Sequence, residues 1–166
     1  EAYCNYYLKQ KKIPFTIIRP HNFYGPNMGF KHVIPQFFIK ALNKKSYFEI
    51  QGKGNETRSF CYIDDAVKAI VKLSFSRISD NQIIHIGNNT ETSILKLAKI
   101  ILKITNQNKK FKFSKLQSGS VKRRLPKLNF YKKVKFNNKI ALDEGINKTL
   151  DWFKKNKYLI KKDNLS

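Results

Sequence analysis

Apolar positions follow two spacings that alternate along the chain. A short run over 15–19, Phe-Thr-Ile-Ile-Arg, is introduced by Pro14 and stopped by Pro20, and β-branched residues so bounded predict a buried strand. Ile83, Ile84 and Ile86 predict a second over 83–86. Elsewhere the spacing changes to three and four. Val33, Phe37 and Ala41 align on one side of 32–42, with Ile34 and Phe38 beside them, which predicts a helix. Apolar residues at 66, 67, 70, 71 and 73 predict a helix capped by Asp64 and ending near 74, and Thr92 or Ser93 caps the next, to about 105. The segment 143–156 has the pattern of a final amphipathic helix, and 1–12 that of the end of one, with Tyr3, Tyr6, Tyr7 and Gln10 on neighbouring turns. Short strand candidates at 47–50 and 59–62 flank the Gly52-Lys53-Gly54 turn, and Phe111 and Phe113 alternate as in a strand. Two prolines and two glycines make 20–30 a loop.

Strand and helix alternate, so the fold class is α/β. Only 15–19 and 83–86 read as strands buried on both faces. Two such strands cannot build a doubly wound sheet, because their faces and edges need neighbours. The pattern therefore predicts part of a larger fold. It shows no internal repeat and no linker that divides it.

Composition narrows the function classes. The 166 residues are 41% hydrophobic and 13% aromatic, as in one folded domain rather than a disordered chain. No apolar run approaches the ~20 residues that span a bilayer, so no membrane is predicted as a partner. The sequence opens on Glu1, with no signal peptide, and the motifs below read this as an opening inside a longer chain. Cys4 and Cys61 show no metal-ligand spacing and read as two reduced thiols of a cytoplasmic protein. The net charge of +23 changes the picture less than its size suggests. Lysine is spread along the whole chain with abundant Asn and Ile, whereas nucleic-acid binders concentrate it on one face. Nucleic acid is not predicted as a partner, though a positive field helps to gather an anionic small molecule.

The candidate chemistry follows the first strand directly. Arg19-Pro20-His21-Asn22-Phe23-Tyr24-Gly25-Pro26 leaves its carboxyl end, where open α/β sheets place their ligands. On residues alone the same stretch reads equally as a stiff strand-exit turn. Further on come His32-Val33-Ile34-Pro35-Gln36-Phe37-Phe38, the stretch Gln51-Gly52-Lys53-Gly54-Asn55-Glu56-Thr57-Arg58-Ser59-Phe60-Cys61-Tyr62-Ile63-Asp64-Asp65, His85-Ile86-Gly87-Asn88, Lys122-Arg123-Arg124-Leu125-Pro126-Lys127, and Glu144-Gly145-Ile146 before Trp152-Phe153. In this order, over nearly the whole chain, they resemble the NAD-dependent epimerase/dehydratase family, extended short-chain dehydrogenase/reductases that act on nucleoside-diphosphate sugars.

The resemblance implies the C-terminal part of a Rossmann-type fold: the last strands of the parallel sheet with the smaller substrate-binding α/β subdomain. Residues 1–166 would be that substrate-binding portion, with the N-terminal NAD-binding half absent. Asn22 would hydrogen-bond the sugar or its diphosphate, Val33 and Ile34 would wall the nucleotide pocket, and Arg58 and Arg124 would meet the phosphates. Guanidinium suits that task because its rigid fork engages two phosphate oxygens at once. Pro20 and His21 would lie against the nicotinamide end of NAD. The implied ligand is a nucleoside-diphosphate sugar, UDP-linked, and the implied assembly a homodimer at full length. The implied activity is that of a UDP-sugar 4-epimerase, with UDP-glucuronate decarboxylase or dTDP-sugar dehydratase as alternatives.

The sequence also departs from the pattern. Lys127 stands where an aspartate belongs, and lysine has no acceptor for a ribose hydroxyl. The segment 128–140 lacks the usual Leu-Gly-Trp. Tyr7/Lys11, Tyr131/Lys135 and Tyr158/Lys162 copy the spacing of the catalytic Tyr-x-x-x-Lys, yet none precedes the first helix, where that pair belongs. No Gly-x-x-Gly-x-x-Gly occurs either. No catalytic residue is therefore assigned to this chain, and it is expected not to turn over substrate alone. From another class, a non-catalytic sugar-nucleotide or polyanion binder remains an alternative.

Overall fold

In the computed structural model, which describes residues 1–116 and 119–156, the chain opens in a helix over 2–10 whose centre, Cys4–Leu8, has π-helical spacing. Strand β1 (Thr16–Pro20) follows, then the two-residue β2 (Phe23–Tyr24) and helix α1 (Val33–Leu42). Next come β3 (Tyr47–Gln51), β4 (Thr57–Ser59), β5 (Cys61–Tyr62) and α2 (Ile63–Ser74). Strands β6 (Gln82–Ile86) and β7 (Glu91–Ser93) precede α3 (Ile94–Ile104). The remainder is β8 (Lys110–Ser114), β9 (Arg123–Arg124), α4 (Asn129–Lys133) and α5 (Leu142–Lys155).

The pairing is mostly parallel. β1 runs beside β6 from Thr16 opposite Gln82 to Pro20 opposite Ile86. β2 pairs with β5 and β3 with β8, both parallel. β4 lies between antiparallel β7 and parallel β9. Two apolar clusters result. One joins α1, β3, α3 and α5 through Ile34, Phe38, Phe48, Ile101 and Phe153. The other closes one side of the β1–β6 pair, with Ile84 and Ile86 against Ala66, Ala69 and Leu73 of α2 and Tyr131 of α4.

The structure corrects several readings. The segments 47–50 and 59–62 are strands on either side of the glycine turn, but not in one sheet. β3 pairs across the chain with β8, and the second segment is divided at Phe60 between β4 and β5, which belong to different sheets. β1 and β6 are not buried on both faces among the described residues: α2 and α4 pack on the pair, yet Ile83 is 37% exposed. Asp64 does not cap α2, which starts one residue earlier with no side-chain cap. Ser93 does cap α3, accepting from the Lys96 amide at 3.1 Å.

Candidate functional site

A cleft of about 420 Å³ opens between the β1 exit loop, the start of α1 and strand β4, within the size range of small-molecule sites. It brings together Asn22, Val33 and Arg58, three positions far apart in sequence. The bend after β1 explains the first. Asn22 takes a left-handed backbone (φ +45°), which asparagine tolerates better than most residues. Its carbonyl accepts from the Cys61 amide at 3.2 Å and its side-chain amide donates to the Ser59 carbonyl at 2.9 Å. The side chain is thus tied to β4 at the cleft wall.

Helical geometry accounts for Val33 and corrects Ile34. Val33, Gln36, Phe37 and Lys40, spaced by three and four, all line the cleft. Successive helical residues point about 100° apart, so Ile34 turns the other way and is fully buried in the core. It is not a cleft wall.

Arg58 donates from Nη1 to the Thr57 carbonyl at 2.7 Å and from Nη2 to the Val121 carbonyl at 2.6 Å. Burial lowers its pKa, the positive charge of Arg124 adds to that, and Glu56 opposes it. Arg124 stands opposite Arg58 in the β4–β9 register, exposed at the rim rather than lining the cleft. The ion pairs of the described residues are Glu1–Arg19, Glu91–Arg123 and Glu144–Lys148, so neither Arg58 nor Arg124 has a carboxylate partner among them. Two neighbouring guanidinium groups with no ion-paired carboxylate among the described residues favour an anionic ligand. Glu56 also lines the cleft, but its carboxylate accepts from the Lys53 and Gly54 amides at 3.2 and 2.9 Å. Burial raises its pKa, and those backbone hydrogen bonds with Arg58 more than offset this, leaving it below the ordinary value.

Lys31, Gln36 and Gln51 also reach the cleft and were not singled out from the sequence. The spacing of Gln36 from Val33 was the available signal for one of them; the others depend on tertiary placement.

Pro20 lies exposed at the carboxyl end of β1. His21 is pinned beside it: its amide donates to the Ile86 carbonyl at 2.8 Å, and its Nε2 lies 2.6 Å from Nδ1 of His85. Lys127 is exposed beside buried Pro126. The copies of the catalytic spacing are accounted for structurally. Lys11 lies 6.0 Å from the centre of the Tyr7 ring, while the Tyr131 hydroxyl donates to the Gly87 carbonyl at 2.8 Å. Tyr158 and Lys162 lie outside the described residues. A further hollow of about 600 Å³ lies behind Phe60, which walls both spaces, and no sequence-predicted site residue reaches it. Among the described residues no helix is long and apolar enough to cross a membrane, and no three metal-ligand side chains converge.

This geometry is accompanied by a sequence match. The model of the NAD dependent epimerase/dehydratase family matches residues 1–87, more than half of the 166. The chain belongs to this family.

Its relatives act on several nucleotide sugars. UDP-glucuronic acid decarboxylase 1 of Xenopus tropicalis is 29% identical over 158 residues, covering 93% of this chain and 37% of that protein. Epimerase Mth375 of Methanothermobacter thermautotrophicus superimposes with a TM-score of 0.87 at 26% identity, covering 97% of this chain and 49% of the other. UDP-glucose 4-epimerase of Thermotoga maritima, solved with UDP-glucose, gives 0.83 at 25% identity, covering 93% of this chain and 50% of the other. The chain thus has the α/β fold of Rossmann-type extended epimerases and spans half or less of these relatives. dTDP-D-glucose 4,6-dehydratases are similar to it as well, at 29% identity.

Proposed function

We propose that the chain forms the nucleoside-diphosphate-sugar side of an NAD-dependent epimerase/dehydratase, with Asn22, Val33 and Arg58 facing the ligand and Arg124 at the rim. The observation that carries this reading is the pair of neighbouring guanidiniums, Arg58 and Arg124, neither in an ion pair among the described residues, beside a cleft walled by Val33 and Asn22. A diphosphate adds the counter-charge that suits two adjacent guanidiniums. Asn22 and Gln51 supply amide groups for hydroxyls or a base, and Phe37 and Val33 supply apolar wall. UDP is the proposed nucleotide and 4-epimerisation the proposed reaction.

The dinucleotide-binding half is assigned to polypeptide beyond these residues. Among the described residues β1 pairs on one edge only, and Tyr3, Tyr6 and Phe75 are 70%, 70% and 89% exposed. That edge and these apolar side chains suit a covering partner of the same fold. The fit to NAD is partial: Pro20 and His21 offer a rim at a strand carboxyl end, but no glycine-rich phosphate cradle accompanies them. Bound there, NAD supplies hydride acceptance and return at a sugar carbon. The residues of this chain orient the sugar nucleotide, neutralise its phosphates and close one wall against water.

Titration calorimetry of the 166-residue chain with UDP, dTDP and UDP-glucose tests the reading. UDP binding should weaken at least ten-fold in Arg58→Ala, the scale of a lost charged hydrogen bond (about 1.5–3 kcal/mol). It should also weaken in Asn22→Ala. Equal UDP binding by wild type and both variants would remove the cleft from consideration.

A further inference from the structure

We propose that His85 is a positioning residue for the cleft: through its ring-to-ring hydrogen bond it fixes His21, and with His21 the bend that presents Asn22. This rests on the reading of the cleft as a sugar-nucleotide site, and names a residue outside the cleft that sets its geometry.

The observations lie at the carboxyl ends of β1 and β6. His21 Nε2 and His85 Nδ1 are 2.6 Å apart, with ring centres at 4.9 Å and planes tilted by 32°. The His21 amide donates to the Ile86 carbonyl at 2.8 Å. Its Cβ packs closely on Gly87, where an added Cβ would meet that of His21 at 3.0 Å. Gly87 is itself clamped, since its carbonyl accepts from the Tyr131 hydroxyl at 2.8 Å and from the Asn138 side-chain amide at 3.0 Å. The scaffold under His21 is therefore fixed at the backbone, and the ring is fixed by His85. The next residue is Asn22, in its left-handed conformation. A ring free to rotate would release the side-chain hydrogen bond that anchors His21, immediately before the bend.

Protonation gives this bond a signature. In the neutral pair one ring donates and the other accepts. One added proton leaves a charged donor facing a neutral acceptor, and the bond persists. Two put N–H against N–H and break it. The charged groups around the pair are Arg19 on β1, Arg124 on β9 and Glu1 at the chain start. Burial holds the His21 imidazole below its ordinary value, with the charges of His85, Arg124 and Arg19 adding to the effect. A depressed folded-state value means that the contribution of His21 to stability is complete above its unfolded value, about 6.5, and is lost as pH falls below it.

The test uses the 166-residue chain as wild type, His85→Ala and His85→Asn, followed by two-dimensional amide NMR with and without UDP. Asn is chosen because its side-chain amide reaches the position of the imidazole Nδ1 without titrating. His85→Ala should shift the signals of Asn22, including its side-chain amide, and weaken UDP about three- to ten-fold, the range of one ordinary hydrogen bond. His85→Asn should restore both at pH 7. In wild type the Asn22 signals should move on acidification to pH 5 in step with the ring protons of His21; in His85→Asn they should stay. Unmoved Asn22 signals in His85→Ala, with UDP bound as before, overturn the inference and leave the proposed function standing. Asn22 signals that move and recover as described, with no UDP bound by any form, uphold the inference and overturn the cleft assignment. If His85→Ala does not fold, the pH comparison between wild type and His85→Asn decides, and identical Asn22 shifts in both refute the proposal.

Discussion

Gly145 tests whether helix propensity or packing governs the join between the last helix and the site loop. It lies inside α5 at a position of ordinary helical backbone, where alanine is normally better than glycine by about 1 kcal/mol. The surroundings argue the opposite. A Cβ at Gly145 would fall inside the contact distance of the Tyr24 hydroxyl and 2.9 Å from both Tyr24 Cζ and Tyr62 Cδ2. Tyr24 and Tyr62 are 2% and 5% exposed and meet edge to face at 5.5 Å, so neither ring can swing into solvent. The Tyr24 hydroxyl also donates to the Leu142 carbonyl, at 3.3 Å, in the first turn of the same helix. Overpacking a closed core costs roughly 1–3 kcal/mol, and loss of that hydrogen bond about 1 more. Against the propensity gain of about 1 kcal/mol, Gly145→Ala should destabilise by roughly 1–3 kcal/mol. For a chain of this size that lowers Tm by about 2–12 °C. Thermal and urea unfolding of wild type, Gly145→Ala, Tyr24→Phe and the double variant forms a cycle. Tyr24→Phe removes the closest atom and should recover part of the loss, with Tyr62 retaining the rest. An unchanged or raised Tm in Gly145→Ala would refute the packing account.

Two further predictions concern buried polar groups. Asp65, 1% exposed, accepts from the Lys139 and Ile140 amides at 2.9 Å each, so Asp65→Ala should cost roughly 2–4 kcal/mol in urea unfolding and Asp65→Asn less; a loss under 1 kcal/mol would contradict this. Burial, aided by the charge of Asp65, pushes the Cys61 thiol up to about 12, whereas Cys4 is half-exposed. An aromatic disulfide reagent at pH 8 should therefore titrate one thiol promptly and the second only after denaturation, and prompt reaction of both would show that Cys61 is accessible.

Local pattern carried the elements whose residues contact near neighbours. Helices α1, α3 and α5 followed from apolar spacing within a residue or two, and the 15–19 and 83–86 strands are the paired β1 and β6. Strands β7 and β9, three and two residues long, were not legible, because they exist only by pairing with β4. The partnership of β3 with β8 was hidden for the same reason: it joins segments some sixty positions apart, such as Phe48 and Phe111. Asn22, Val33 and Arg58 were expected from the motifs that carry the family resemblance, and they meet at one cleft. Ile34 was misplaced because adjacency in sequence opposes direction on a helix. Arg58 and Glu56, two positions apart, turn to different partners: Arg58 binds two backbone carbonyls and Glu56 two amides.

The bond between Tyr24 and Leu142 spans 118 residues. Closing so long a loop carries an entropic cost that local helix formation does not, and contacts of high sequence separation slow folding. During synthesis the site loop is made well before α5 and meets its brace only when that helix has emerged. Until then Tyr24 and Tyr62 lack the cover of α5. The same contact that fixes the loop in the finished molecule thus sets a late step in its maturation.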